Sequence, residues 1–114
     1  MKIEGPGLLL RAFLGESDRH EGKQLAEVIV RRAREAGLAG ATVLRGTLGY
    51  GAASRIHSSS ILRLSEDLPL VVEIVDTEEK VRAFLPALDE LVDDGMVTLE
   101  RVEVVLYRHG NDSD

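Results

Sequence analysis

Apolar residues along this chain recur with two different periods. Leu8-Leu9-Leu10 and Ala12-Phe13-Leu14, divided by Arg11 and closed by Gly15, form a short run whose length suits a central strand better than a helix. From Leu25 the period changes. Leu25, Val28, Ile29, Ala33 and Ala36 recur at helical spacing with charged residues between them, and Gly37 and Gly40 supply a stop. The start of this amphipathic helix falls between Asp18 and Gly22, where Asp18 and Glu21 have the spacing of a capping box. Ala41 to Arg45 opens a second, β-branched strand. It passes through Gly46, Gly49 and Gly51 into the polar stretch Ala52 to Ser60, which reads as a mobile loop.

Ile61 to Leu64 reads as a brief return to the sheet, and Pro69 fits the first residue of the next strand, Leu70 to Val75, closed by Asp76-Thr77. Thr77 is a good N-cap, Glu78 and Glu79 complement the helix dipole, and Val81, Phe84, Leu85, Leu88, Leu91 and Val92 make one stripe. Pro86 lies inside that stripe without breaking its phase, so a kink is expected rather than an end. Gly95 stops the helix and Val97 to Tyr107 forms the last strand. Residues 1–7 and 110–114 read as flexible tails of a single domain spanning 1–114.

The order β-α-β-β-α-β predicts an α+β, ferredoxin-like fold: a four-stranded antiparallel sheet with both helices on one face. Yet the strands are apolar on both sides. Leu9 and Phe13 oppose Leu8, Leu10 and Leu14; Val71 and Val75 oppose Leu70, Val72 and Ile74; Val105 and Tyr107 oppose Val104 and Leu106. A sheet face left to water is half polar, so the face bearing Leu9, Phe13, Val71, Val75 and Tyr107 is expected to be covered by another copy of the chain.

Composition narrows the function. The chain has 114 residues, enough for one core, and with 44% hydrophobic but only 4% aromatic residues that core is aliphatic. Cysteine is absent, which removes disulfides, thiolate metal sites and cysteine nucleophiles. A net charge of -6 disfavours nucleic acid as a partner. No apolar run suits a signal peptide or a membrane span, so a cytoplasmic protein without membrane insertion is expected.

His20, His57 and His109 show no paired ligand spacing, so no metal site is expected. Ser58, Ser59 and Ser60 have no oxyanion-hole motif around them and no nucleophile-base pair is visible, so no catalytic residues are assigned and an enzyme is not expected. Two readings remain open for Gly46, Gly49 and Gly51: turn or bulge geometry, or close approach of a phosphate to the backbone. Arg45 beside them is either a fork-shaped donor to an anion or one half of a surface salt bridge.

Gly37-Leu38-Ala39-Gly40-Ala41-Thr42-Val43, then Gly49-Tyr50-Gly51, then Leu68-Pro69 leading into Val72-Glu73-Ile74-Val75 resemble the matching segments of PII signalling proteins. More closely, Gly15-Glu16, Arg45-Gly46, Gly49-x-Gly51, Ile56-His57, Leu64-Ser65-x-Asp67-Leu68-Pro69 and Val75-Asp76 resemble the PII-like family known as domain of unknown function 190, over about Leu8 to Arg108. This resemblance implies a homotrimer with ligand clefts between neighbours. It implies a regulatory protein that binds an adenine nucleotide or similar anionic metabolite near Thr42, Arg45, Gly46, Gly49, Gly51, Glu73 and Arg108. It also implies a partner-binding loop carrying Ser54, Arg55, Ile56 and His57, and a target such as a membrane transporter of the fluoride-exporter class. Three departures from the PII pattern stand out: one extra residue between Val43 and Gly49, Ala53 in place of the loop-base glutamine, and Met96 in place of the lysine after the second helix. The alternative is a structural or metal-binding trimer resembling the divalent-cation-tolerance proteins.

Overall fold

The computed structural model describes residues 2–51 and 67–110, without the side chains of residues 2 and 3. Eight elements follow in order: β1 (Lys2–Gly15), β2 (Arg19–His20), β3 (Lys23–Gln24), α1 (Leu25–Glu35), β4 (Thr42–Arg45), β5 (Pro69–Asp76), α2 (Glu78–Leu91) and β6 (Met96–Arg108). The four longer strands form one antiparallel sheet in the order β4-β5-β1-β6. The fold is therefore the expected α+β arrangement. The expected return at Ile61 to Leu64 lies outside the described residues.

The core forms where the two periods meet. Leu8, Leu10, Ala12 and Leu14 of β1 and Leu70, Val72 and Ile74 of β5 bury one sheet face against both helices. The helices contribute Leu25, Ala26, Val28, Ile29 and Ala33 from α1, and Val81, Phe84, Leu88 and Leu91 from α2. α2 starts as its sequence predicts: Thr77 caps it, its side chain accepting from the Lys80 N–H at 3.3 Å. The helix runs unbroken through Pro86.

Two expectations change. Between β1 and α1 the chain makes a two-residue hairpin, β2 against β3, with Arg19 paired to Gln24 and His20 to Lys23. Both turn residues have positive φ, Glu21 at 50° and Gly22 at 81°, as a type I′ turn requires. The helix consequently begins only at Leu25, with Gln24 as its cap and no side-chain cap bond. Asp18 instead accepts the Gly15 N–H at 2.9 Å, a turn bond and not a capping box. Residues 2–7, read as a tail, are also strand: Lys2 to Gly7 pair with β6 alone, past the point where β5 ends. Gly5, Pro6 and Gly7 obscured that strand, because such residues ordinarily mark turns. Gly7 lies tight against the sheet, where a Cβ would come within 2.8 Å of the Asp76 carbonyl oxygen. The register between β1 and β6 shifts between Ile3 and Gly5.

On the face away from the helices Leu9 and Val71 are half-buried, while Phe13 is 39% and Val75 38% exposed in the single chain. That face also has a polar centre which the apolar runs concealed. Arg11 Nε donates to Glu73 at 2.9 Å across the β1-β5 pair, and its Nη1 donates to Glu100 on β6 at 3.2 Å. The Glu73 hydrogen bond and the two carboxylate charges raise the Arg11 pKa and keep its guanidinium charged.

Asp76 is the buried charged residue of the described core, at 0% exposure. Its Oδ2 accepts the Ala39 N–H at 2.8 Å and its Oδ1 the Thr77 N–H at 2.6 Å, tying the chain after α1 to the start of α2. Asp76→Ala strands both donors, so denaturant unfolding should show a loss of about 1–3 kcal/mol. A second prediction concerns Glu78, which receives Arg82 at 2.7 Å and Arg101 at 3.2 Å. Those hydrogen bonds, Arg82's first, hold its carboxyl below the usual range. Stability from this group is present above the unfolded carboxylate pKa and lost as pH falls through the lower folded one. Glu78→Gln should therefore lower the neutral plateau of a melting-temperature profile slightly and meet the unsubstituted protein at low pH, which flattens the acid side.

Candidate functional site

A cleft of about 440 Å³ lies between the open sheet face and the extension of β6. Thr42, Glu73 and Val75 form its floor, the chain segment Ala39-Gly40-Ala41 one side, and Val104, Leu106 and Tyr107 the other. Sheet register brings the polar floor together: Thr42 is paired with Glu73, and Glu73 with Arg11 on the next strand. The cleft wall is fixed from two directions. The Ala39 carbonyl accepts the Tyr107 hydroxyl at 3.1 Å, while the Ala39 N–H is held by Asp76. Gly40 leaves the wall open, since a Cβ there would meet nothing within 4 Å.

The other residues singled out in the sequence lie elsewhere. Side chains alternate along a strand, so Thr42 and Arg45, three apart on β4, project to opposite faces of the sheet. Arg45 accordingly meets the turn after β1: its Nε donates to Glu16 Oε2 at 3.0 Å and its Nη2 to Glu16 Oε1 at 3.2 Å. Gly46 and Gly49 pack on Pro69. The Gly46 N–H donates to the Pro69 carbonyl at 2.8 Å, and a Cβ on Gly46 would stand 2.8 Å from Pro69 Cγ, one on Gly49 3.1 Å. In the single chain, close packing accounts for these two glycines. Gly51 lines a separate pocket with Tyr50, Phe13 and Met96. Arg108 ends β6, paired with Lys2, one residue past Tyr107. Ser54, Arg55, Ile56 and His57 lie outside the described residues.

Asp76, Tyr107 and the two partners of Glu73 in its charge row, Arg11 and Glu100, were not among the residues marked as site positions. An acidic residue closing a strand just before a Thr cap, and an arginine inside an apolar run, were the available signals. Among the described residues, no group of three or more His, Asp and Glu stands close enough to hold a metal ion, and no helix is long and apolar enough to cross a membrane.

The strand order, the two helices on one face and the cleft beside the Thr42-Glu73 pair define the class: this is a PII-like fold. It is similar to the PII-like signalling protein TTHA0516 of Thermus thermophilus, with a TM-score of 0.61 and 18% identity over 89% of this chain and 91% of that one. It is also similar to CPII of Thiomonas intermedia K12, solved with ADP, AMP and acetate, with a TM-score of 0.56 and 17% identity over 88% and 89% of the two chains. The chain belongs to the DUF190 family, "Uncharacterized ACR, COG1993", whose model matches residues 7–104. A UPF0166 protein of Aquifex aeolicus (strain VF5) is 43% identical over 97 residues, 85% of this chain and 91% of the relative. The UPF0166 protein MJ1524 of Methanocaldococcus jannaschii is 35% identical over 92 residues, 80% and 84% of the two.

The packing of Gly46 yields a test. Gly46→Ala presses a methyl group into the Pro69 ring and should destabilise the fold by about 1–3 kcal/mol, whereas Gly40→Ala, in open space, should change denaturant unfolding little. Equal effects would show that Pro69 does not constrain the position.

Proposed function

We propose that this chain is a cytoplasmic, non-enzymatic regulatory protein that works as a homotrimer. It binds an adenine nucleotide or a similar anionic metabolite at the Thr42-Glu73 cleft, on a boundary between copies, and so changes its affinity for a protein target. The observation that carries this reading is the register-fixed meeting of Thr42 and Glu73 in a 440 Å³ cleft. That volume lies in the range of small-molecule pockets, and a lining of Val75, Val104, Leu106 and Tyr107 suits a flat heteroaromatic ring.

No cation is among the described residues lining the cleft, so the proposal puts the ligand's anionic end at the rim, towards Arg108 and a neighbouring copy. Arg45, Gly46, Gly49 and Gly51 enter it as that neighbour's share of the site. The half-apolar face of Leu9, Phe13, Val71 and Val75 supports association, because such a surface is ordinarily covered. CPII structures carrying ADP with AMP, or ADP with bicarbonate, support the ligand class by likeness of fold. The proposed contact with the target is Ser54, Arg55, Ile56 and His57. A membrane transporter, the class the family resemblance implies, is the first target to test.

Two measurements decide. Light scattering should give a mass three times that of the chain; a monomer at micromolar concentration overturns the intersubunit site, and a dimer its threefold geometry. Calorimetric titration with ATP, ADP, AMP and cyclic nucleotides, with and without magnesium, should give saturable binding by at least one. Thr42→Trp fills the cleft from an exposed edge strand and should weaken that binding tenfold or more with an unchanged melting temperature, about the cost of losing one well-packed contact. Absence of binding by every nucleotide at millimolar concentration overturns the sensor reading and leaves a ligand-free interaction module.

A further inference from the structure

Arg45 has two claims on its guanidinium. As the neighbour's share of the ligand site it faces an anion, yet in the single chain one residue takes both arms of the fork: Nε donates to Glu16 Oε2 at 3.0 Å and Nη2 to Glu16 Oε1 at 3.2 Å. This is the two-pronged geometry in which arginine holds a carboxylate or a phosphate. The same fork cannot hold both. Glu16 therefore stands where an anionic ligand puts two of its oxygens.

The two partners differ in freedom. The Arg45 side chain is 58% exposed on a long stem, whereas Glu16, at 28%, is fixed through its backbone. Its N–H donates to the Leu68 carbonyl at 2.9 Å, and its own carbonyl accepts Arg19 at 3.2 Å and Gln24 at 3.4 Å. Arg45 can swing away and Glu16 cannot follow. Glu16 also has a replacement partner at hand: Arg19 donates only to the carbonyls of Glu16 and Asp18 and holds no carboxylate among the described residues, although a carboxylate is the stronger acceptor. An exposed ion pair costs little to break, and an exchange of Arg45 for Arg19 leaves the Glu16 charge compensated. We propose that Glu16 is an internal competitor for the ligand: its carboxylate occupies the Arg45 fork in the single chain, and the phosphates of a nucleotide displace it. The proposal deepens the functional reading above and rests on it for the assignment of Arg45 to the ligand site. It adds a residue that sets the affinity without touching the ligand. Because Glu16 holds the Leu68 carbonyl and the Ser17 N–H donates to Asp67 at 2.9 Å, the displacement takes place beside the residues that begin and end the segment between β4 and β5.

The test is calorimetric titration with ADP and with adenosine, which keeps the base and the ribose and lacks the phosphates. Glu16→Gln preserves the length of the side chain and the backbone bonds while removing the charge. It should tighten ADP binding about threefold to fivefold, the upper range for an exposed ion pair, and leave adenosine unchanged. A residue that only orients Arg45 towards the ligand gives the opposite sign, so weaker or unaltered ADP binding overturns the proposal, as does equal tightening of adenosine. Glu16→Asp, which draws the carboxylate back from the fork by one methylene, should tighten ADP in the same direction and supplies the sign if the glutamine variant does not fold. General repulsion is separated by Asp67, whose carboxylate lies beside Gly15, 3.0 Å from where a Cβ would stand, and has no bond to Arg45. Asp67→Asn should leave ADP affinity within about twofold, since salt screens a charge that makes no contact with the ligand. Equal tightening by the Asp67 and Glu16 variants overturns the proposal. So does tightening by Glu16→Gln that persists in an Arg45→Ala background, where no fork remains to be freed. The two readings part cleanly: ADP binding by Glu16→Gln but not by the unsubstituted protein keeps the competitor and removes the sensor, binding by both without tightening removes the competitor alone, and binding by neither removes both.

Discussion

A single buried carboxylate holds the functional end of this fold together. Asp76 ends β5, accepts the first backbone N–H of the α2 cap region and reaches across to the Ala39 N–H after α1. A buried charge is tolerated only when its lone pairs are engaged, and here the engaged donors are the two peptide groups that fix where each crossover leaves the sheet. The Ala39 peptide then offers its other end to Tyr107. Helix α1, strand β5, helix α2 and the far end of β6 thus converge on a few atoms, and the cleft is the space they leave.

The two faces of the sheet divide the labour. One is an aliphatic layer of leucine, valine, isoleucine and alanine against two helices, to which α2 adds the ring of Phe84. The other mixes exposed apolar residues with the Arg11-Glu73-Glu100 row. A covering subunit has to accommodate that charge row, and its geometry limits the orientation in which a copy can approach. Ferredoxin-like sheets carry many unrelated activities, so chemistry on this second face, and not the architecture, distinguishes one member from another.

Much of the fold was legible because local signals agreed. In α2, the Thr77 cap, the acidic first turn and the stripe from Val81 to Leu91 all point to one answer, and Pro86 does not overturn it. Around residues 15 to 24 the signals conflict. Asp18 and Glu21 read as a capping box, yet a hairpin closes through Glu21 and Gly22, and a non-glycine residue at positive φ leaves little trace in sequence. The site was only partly legible for a geometric reason. Thr42 and Glu73 lie 31 positions apart in sequence and meet only once strand register is set. The separation of Thr42 from Arg45, by contrast, follows from the parity of their spacing and could have been read from the strand alone.

Strand β1 occupies the middle of the sheet, yet it is the first element of the chain and its two neighbours are among the last. Leu8 finds its partners at Asp76 and Arg101. During synthesis the apolar run from Leu8 to Leu14 therefore waits for β5 before its first edge is paired, and its second edge stays open until β6 is complete. Local helix formation cannot relieve that wait, because the pairings are between distant residues and carry a large loop-closure entropy. The order of strands that creates the cleft thus ties the central strand to partners that lie far along the sequence.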